Sequence, residues 1–159
     1  MKENGYREQK YSMTYGEYET ECLPEDYRRL REVVMEAAHG AYREYSGFAV
    51  GAVVVLENGE IVRGANQENV AYPSGMCAER VALFYAGATY PGVAVKTLAI
   101  IARNGEEWVK DPVTPCGACR QVMAEVIKRQ GKDFEVVMFG EERVWVARAK
   151  DLLPLAFEF

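Results

Sequence analysis

Three cysteines and a glutamate carry the chemistry that this sequence offers. Cys77-Ala78-Glu79 and, further along, Pro115-Cys116-Gly117-Ala118-Cys119 supply three thiols and one carboxylate at spacings suited to a hydrolytic zinc site. A structural zinc closes its shell with four protein ligands, whereas a catalytic zinc keeps one position for water. Cys22, in a polar N-terminal stretch, and His39, the only histidine, within an amphipathic helical pattern, could each in principle be a fourth ligand. Glu79 favours the open site, because a carboxylate two residues from a zinc thiolate can hold the metal's water and move its proton. A structural zinc has no use for it.

Taken alone, the Cys-x-x-Cys of Cys116 and Cys119 is equally a redox dithiol pattern, which also opens a helix after a strand. Cys77 and Glu79, at a second predicted helix start, turn the balance toward zinc. Both motifs belong at helix starts for an electrostatic reason. Three thiolates on one divalent ion leave net negative charge, and the positive ends of two helix dipoles offset part of it. Arg80, directly after Glu79, can donate hydrogen bonds to thiolate sulfurs and weaken their electron donation. Arg120, after the last thiol, reads as a structural residue.

The elements that must position these residues follow from periodicity. From Glu25 to about Tyr42, Leu30, Val33, Val34, Ala37, Ala38 and Ala41 recur at helical spacing, and His39 falls on that helix's surface. Phe48 to Leu56 is a nearly continuous apolar run. Asn58-Gly59 then signals a hairpin, and the chain returns over Glu60 to Gly64. A short helix is expected from Met76 to Gly87, a buried strand from Lys96 to Ala102, and a helix from Cys116 to Gln130 stopped by Gly131. Phe134–Phe139 and Arg143–Ala147 complete five strands. Interleaved with helices, they predict an α/β fold, a three-layer α/β/α sandwich with a mixed five-stranded sheet.

At 159 residues the chain is long enough for one domain to bury most of its core without disulfides. Residues 1–24 form a Tyr-rich, acidic, aliphatic-poor extension, and 25–159 the domain that holds the site. A net charge of -5 argues against a nucleic-acid partner, since such domains carry a basic face, and favours a small substrate. No apolar run is long enough for a membrane span, and MKENGYREQK contains no apolar signal core. The expected location is the cytoplasm, where thiols stay reduced.

The stretches YSGFAVGAVVV, GANQENVAY, CAERVAL, PCGACRQVMAE and LLPLAF stand in this order between Tyr42 and Phe157. In them the chain resembles the small, homotetrameric, zinc-dependent cytidine deaminases. The resemblance implies hydrolysis of cytidine and deoxycytidine to uridine and deoxyuridine with release of ammonia, in pyrimidine salvage. It implies one zinc per chain, held by Cys77, Cys116 and Cys119, with Glu79 as proton shuttle to N3 of the pyrimidine and to the leaving amino group. The amide of Ala78 would hold the pyrimidine carbonyl edge, and Phe48 would line the base pocket. Asn66 and Glu68 would bind the ribose 3′-hydroxyl, since residues i and i+2 of an extended segment face the same way. Phe157 and Tyr72 would complete the site of a neighbouring subunit.

The sequence also departs from that family. The N-terminal extension is long, and TYPGVAV and NGEEWVKDPVT lengthen the interval between Cys77 and Cys116, as loop insertions that should spare the metal geometry. Rival readings are a deaminase of aminonucleoside antibiotics such as blasticidin, which shares the zinc core, and a non-enzymatic zinc-binding scaffold, which would leave Glu79 without a task. A nucleic-acid editing deaminase would need a basic groove that this acidic chain does not advertise.

Overall fold

The computed structural model describes residues 5–159, so the first four residues of the expected extension lie outside the described residues. Along the chain come β1 (Tyr15–Glu19), α1 (Glu25–Ala37), β2 (Phe48–Leu56), β3 (Ile61–Ala65) and α2 (Ala78–Thr89). They are followed by β4 (Val95–Asn104), β5 (Glu107–Trp108), α3 (Gly117–Gln130), β6 (Glu135–Phe139) and β7 (Arg143–Arg148). One sheet takes the order β1-β7-β6-β4-β2-β3, with β5 paired to β4. Among the described strands only β4 and β6 pair in parallel, because α3 carries the chain back across the sheet between them.

The strand alternation explains how continuous apolar runs serve two helical layers. Val53 of β2, Ala99 and Ile101 of β4, and Val137 and Phe139 of β6 pack with Val34 and Ala37 of α1. Their neighbours Ala52 and Val54, Leu98 and Ile100, and Val136 and Met138 pack on the other face with Ala82 and Leu83 of α2 and Met123 and Val126 of α3. A strand covered on both faces needs apolar residues at every position, which is the pattern of FAVGAVVVL. Each fully buried Val, Leu or Ile contributes roughly 1.5–3 kcal/mol.

The three-layer sandwich with a mixed sheet is the expected architecture, but the sheet has seven strands, not five. One added strand, β5, is two residues long and too short to leave a pattern. The other, β1, belongs to the N-terminal extension and pairs antiparallel with β7, Tyr15 opposite Ala147 and Glu19 opposite Arg143. Trp145 anchors it, packing against Tyr15 with tilted rings whose centroids are 5.4 Å apart and donating its indole N–H to Glu17 at 2.7 Å. The β1 side chains stay mostly exposed, so hydrophobic alternation could not announce the strand.

Two glycines let the helices lie directly on the sheet backbone. A Cβ on Gly51 of β2 would meet the Val34 carbonyl oxygen of α1 at 2.4 Å, and one on Gly64 of β3 would meet the Ala78 carbonyl oxygen of α2 at 2.6 Å. Gly64 thereby fixes the height of the first turn of α2 above the sheet. Cys77, the N-cap of α2, is held at that level.

Candidate active site

Cys77 and Cys116 occupy equivalent places, each as the N-cap of a helix, and Cys119 lies in the first turn of α3. The positive ends of α2 and α3 therefore converge on the thiols, as expected from the sequence. The Cys77 and Cys116 sulfurs are 3.7 Å apart, and those of Cys116 and Cys119 3.5 Å. A tetrahedral shell with zinc–sulfur bonds of roughly 2.3 Å sets its sulfurs about 3.8 Å apart, so the trio matches the coordination shell of a zinc ion. All four cysteines are free, and Cys22 and His39 lie outside the trio. Neither a bridge nor a fourth side chain from the described residues closes the group.

At these separations the thiol protons are not independent. The Cys77 thiol is drawn down to about 5, first by the hydrogen bond with Cys119 and then by Arg80, whose Nη2 donates to its sulfur at 3.5 Å. The Cys119 thiol is pushed up by the same bond with Cys77, by complete burial and by the Glu79 charge. A cation that ionises every thiol it binds relieves this competition. Arg80 reaches the sulfur as anticipated. Arg120 is structural, as read: its Nε donates to the Pro115 carbonyl and its Nη1 to the Leu152 carbonyl, both at 2.8 Å, which fixes the approach to Cys116.

Glu79 is 5% exposed, on the second residue of α2 beside the sulfurs. Burial first, and then the Cys77 charge, raise its carboxyl above the usual range, against its own amide and Arg80, which pull the other way. A carboxyl shifted upward exchanges protons closer to neutral pH than an ordinary surface carboxylate.

Cys77, Cys116 and Glu79 open into a cleft of about 550 Å³, whose wall includes Phe48, Asn66, Glu68, Tyr72 and Ala78, while Cys119 is buried behind it. Asn66 bridges the backbone of β2, donating Nδ2–H to the Phe48 carbonyl at 2.9 Å and accepting from the Val50 amide at 2.8 Å. Glu68 accepts from the Tyr45 amide at 2.8 Å, the Ser46 amide at 3.2 Å and the Ser46 hydroxyl. It is half-buried. These donors, the Ser46 hydroxyl foremost, hold its pKa below the usual carboxylate range.

Residues 24–130, which carry every residue of this trio and cleft, match the cytidine and deoxycytidylate deaminase zinc-binding region. The chain belongs to the cytidine deaminase family. It is 40% identical over 134 residues to the cytidine deaminase of Halalkalibacterium halodurans, covering 83% of this chain and 94% of that one. It is 37% identical over 132 residues to the Mycobacterium tuberculosis cytidine deaminase, covering 83% and 90%. The crystal structure of the Burkholderia pseudomallei cytidine deaminase superposes with a TM-score of 0.70 at 39% identity, over 82% of this chain and 98% of that one. Zinc is the metal of this family's matched region, and the sulfur geometry fits it.

Two residues singled out by the cytidine deaminase resemblance sit at the margin. Tyr72 lines the cleft but is 78% exposed, its ring edge-to-face with that of Tyr45 and the two centroids 6.4 Å apart. Phe157 is outside the cleft of its own chain; its carbonyl accepts from Gln121 and its ring packs on Phe159. Sequence reasoning missed Tyr45, Ser46, Val113 and Thr114 in the cleft wall. Tyr45 and Ser46 open YSGFAVGAVVV, ahead of the apolar run, where no periodicity marks them. Val113 and Thr114 fall in a segment taken for a loop insertion.

Proposed function

We propose that the chain catalyses the zinc-dependent hydrolytic deamination of cytidine and deoxycytidine to uridine and deoxyuridine, with release of ammonia. The observation that carries this reading is a three-sulfur group at tetrahedral spacing with a buried carboxylate beside it, at the floor of one cleft. Cys77, Cys116 and Cys119 would hold the zinc, which would supply Lewis acidity to lower the pKa of the attacking water. Glu79 takes a proton from the attacking water and delivers it to N3 as C4 becomes tetrahedral, then takes the remaining proton from the new C4 hydroxyl and passes it to the leaving amino group. Arg80 moderates the electron donation of Cys77 through its hydrogen bond. The Ala78 amide, in the first turn of α2 where helical partners are missing, binds the pyrimidine carbonyl, and Phe48 flanks the base.

Nucleoside selectivity rests on what Asn66 and Glu68 have left to give. One Nδ2 hydrogen and one Oδ1 lone pair of Asn66, and one lone pair on Oε1 of Glu68, remain after their hydrogen bonds to Phe48, Val50, Tyr45 and Ser46 are counted. A donor beside an acceptor suits a hydroxyl, which both accepts and donates, and the ribose 3′-hydroxyl is the group we assign there. Cytosine lacks that partner and should be a poor substrate.

We infer that residues 25–159 form the deaminase domain, with 1–24 as an extension. We further infer a homotetramer whose neighbours complete the sites with Phe157 and Tyr72; exposed Phe84, Tyr85, Leu155 and Phe157 supply apolar surface for it. A role in pyrimidine salvage in the cytoplasm accords with free thiols and a net charge of -5.

The test is ammonia release from cytidine, deoxycytidine, cytosine, cytidine monophosphate and blasticidin S by zinc-loaded protein. Turnover of the two nucleosides above the rest supports the reading. Preference for blasticidin overturns the substrate assignment, and no turnover of any of the five supports a zinc scaffold. A mass near four chains in solution supports the assembly.

A further inference from the structure

The turn from Arg43 to Phe48 is held from two sides by groups of opposite charge. On the cleft side, Glu68 collects its N–H donors, those of Tyr45 and Ser46, together with the Ser46 hydroxyl. That hydroxyl also accepts from the Phe48 amide at 3.0 Å. On the far side, Arg43 collects carbonyls. Its Nη1 donates to Gly47 at 2.7 Å and to the Gly105 carbonyl, and its Nη2 to Glu106 Oε1 at 2.7 Å. The Gly105 amide closes the contact by donating to the Gly47 carbonyl at 3.1 Å. Gly47 sits at φ +69, a left-handed position that lets its carbonyl turn away from the cleft toward Arg43.

We propose that Arg43 is a positioning residue for nucleoside recognition. By bracing the turn against the Asn104–Glu107 hairpin it fixes Glu68 and Phe48 at the sugar and base ends of the cleft. The proposal rests on the reading of Asn66 and Glu68 as the 3′-hydroxyl pair. The guanidinium works here through its fork rather than its charge. Glu106 is 80% exposed, where an ion pair contributes little, while the Arg43 side chain is 20% exposed and holds two backbone carbonyls at once. Without it the Gly105 carbonyl loses its donor and the Gly47 carbonyl keeps only one. Glu68 is attached to the turn by three bonds, so it moves with the turn. Glu106 completes the tie from the hairpin side, because its second oxygen accepts from Arg103 at 3.0 Å and anchors the fork to β4.

The experiment compares zinc-loaded wild type, R43M and R43K on cytidine and on 3′-deoxycytidine, with thermal unfolding followed in parallel. Wild type should prefer the substrate that carries the 3′-hydroxyl. In R43M the KM for cytidine should rise about tenfold with kcat within about twofold, and the preference for the 3′-hydroxyl should shrink about tenfold. R43K, which keeps the charge and loses the fork, should fall between them, and it decides the matter if R43M does not fold. A residue that only stabilises the fold would lower the melting temperature and the active fraction while leaving the preference intact, so a wild-type preference in the variants overturns the proposal. A wild type that turns over cytidine with no preference overturns the sugar-pocket reading itself, and the role of Arg43 with it.

Discussion

Gly64 of β3 and Ala78 of α2 touch through backbone: a Cβ on Gly64 would lie 2.6 Å from the Ala78 carbonyl oxygen and 2.7 Å from the Ala82 amide nitrogen. Nothing flexible stands in between, so an added methyl must lift the start of α2. Gly64→Ala should therefore cost about 1–3 kcal/mol of stability. Turnover should drop as well, because Cys77 and Glu79 ride on that turn. Denaturant unfolding and steady-state rates check both; unchanged values in both would contradict the contact.

Glu79→Gln keeps the shape of the side chain and removes the proton acceptor. Zinc content should stay near one per chain while kcat falls by roughly 10²–10⁴. Metal analysis alongside cytidine turnover separates this outcome from loss of the metal. A variant as fast as wild type would remove Glu79 from the mechanism.

Asn66→Ala acts on the nucleoside and on the strand together. Its amide holds the Phe48 carbonyl and the Val50 amide, so the variant should lose about 1 kcal/mol of stability. The KM for cytidine should rise about tenfold with zinc retained. Titration of binding and metal analysis test this, and an unchanged KM with depleted zinc would place Asn66 elsewhere in the chemistry.

Chelation should abolish turnover, and added zinc should restore it. Cys116→Ser should reduce zinc content well below one per chain, because the three sulfurs, 3.5 and 3.7 Å apart across Cys116, form one shell. Activity that survives exhaustive chelation would exclude a metal role for this trio.

Tyr27 of α1 donates to Glu135 of β6 at 2.9 Å, tying the helix to the sheet. Burial first, and then Glu135, raise the Tyr27 pKa. The sign follows from linkage. A folded pKa above the unfolded value adds stability that is complete below the unfolded value of about 10 and is lost as pH rises through the folded one. Stability should therefore decline above about pH 10 less steeply in Tyr27→Phe than in wild type. Unfolding midpoints across alkaline pH measure the difference.

The site was more legible in the sequence than its surroundings. Cys77, Glu79, Cys116 and Cys119 are residue types whose spacing carries chemistry, and the expected helix starts, Met76 and Cys116, fall within one residue of the N-caps Cys77 and Cys116. The buried strands were legible because burial on both faces demands unbroken apolar runs, as in β2 and β4. Strand β1 was not, since it is set by a partner's free edge and by Trp145, more than a hundred residues away. The wall of the cleft was hidden for a related reason. Ser46 acts through Glu68 and Arg43 through Gly105, and a pairing across such intervals leaves no local periodicity.

The N-terminal strand is joined to the rest of the sheet along β7 alone. It can peel away without breaking any other ladder, which makes it the natural point of attack for a protease. A chain clipped after Glu19 bares the edge of β7 between Arg143 and Ala147 that β1 had covered. An uncovered strand edge is a template for pairing with another chain, so this short tail caps the sheet at a place remote from the chemistry.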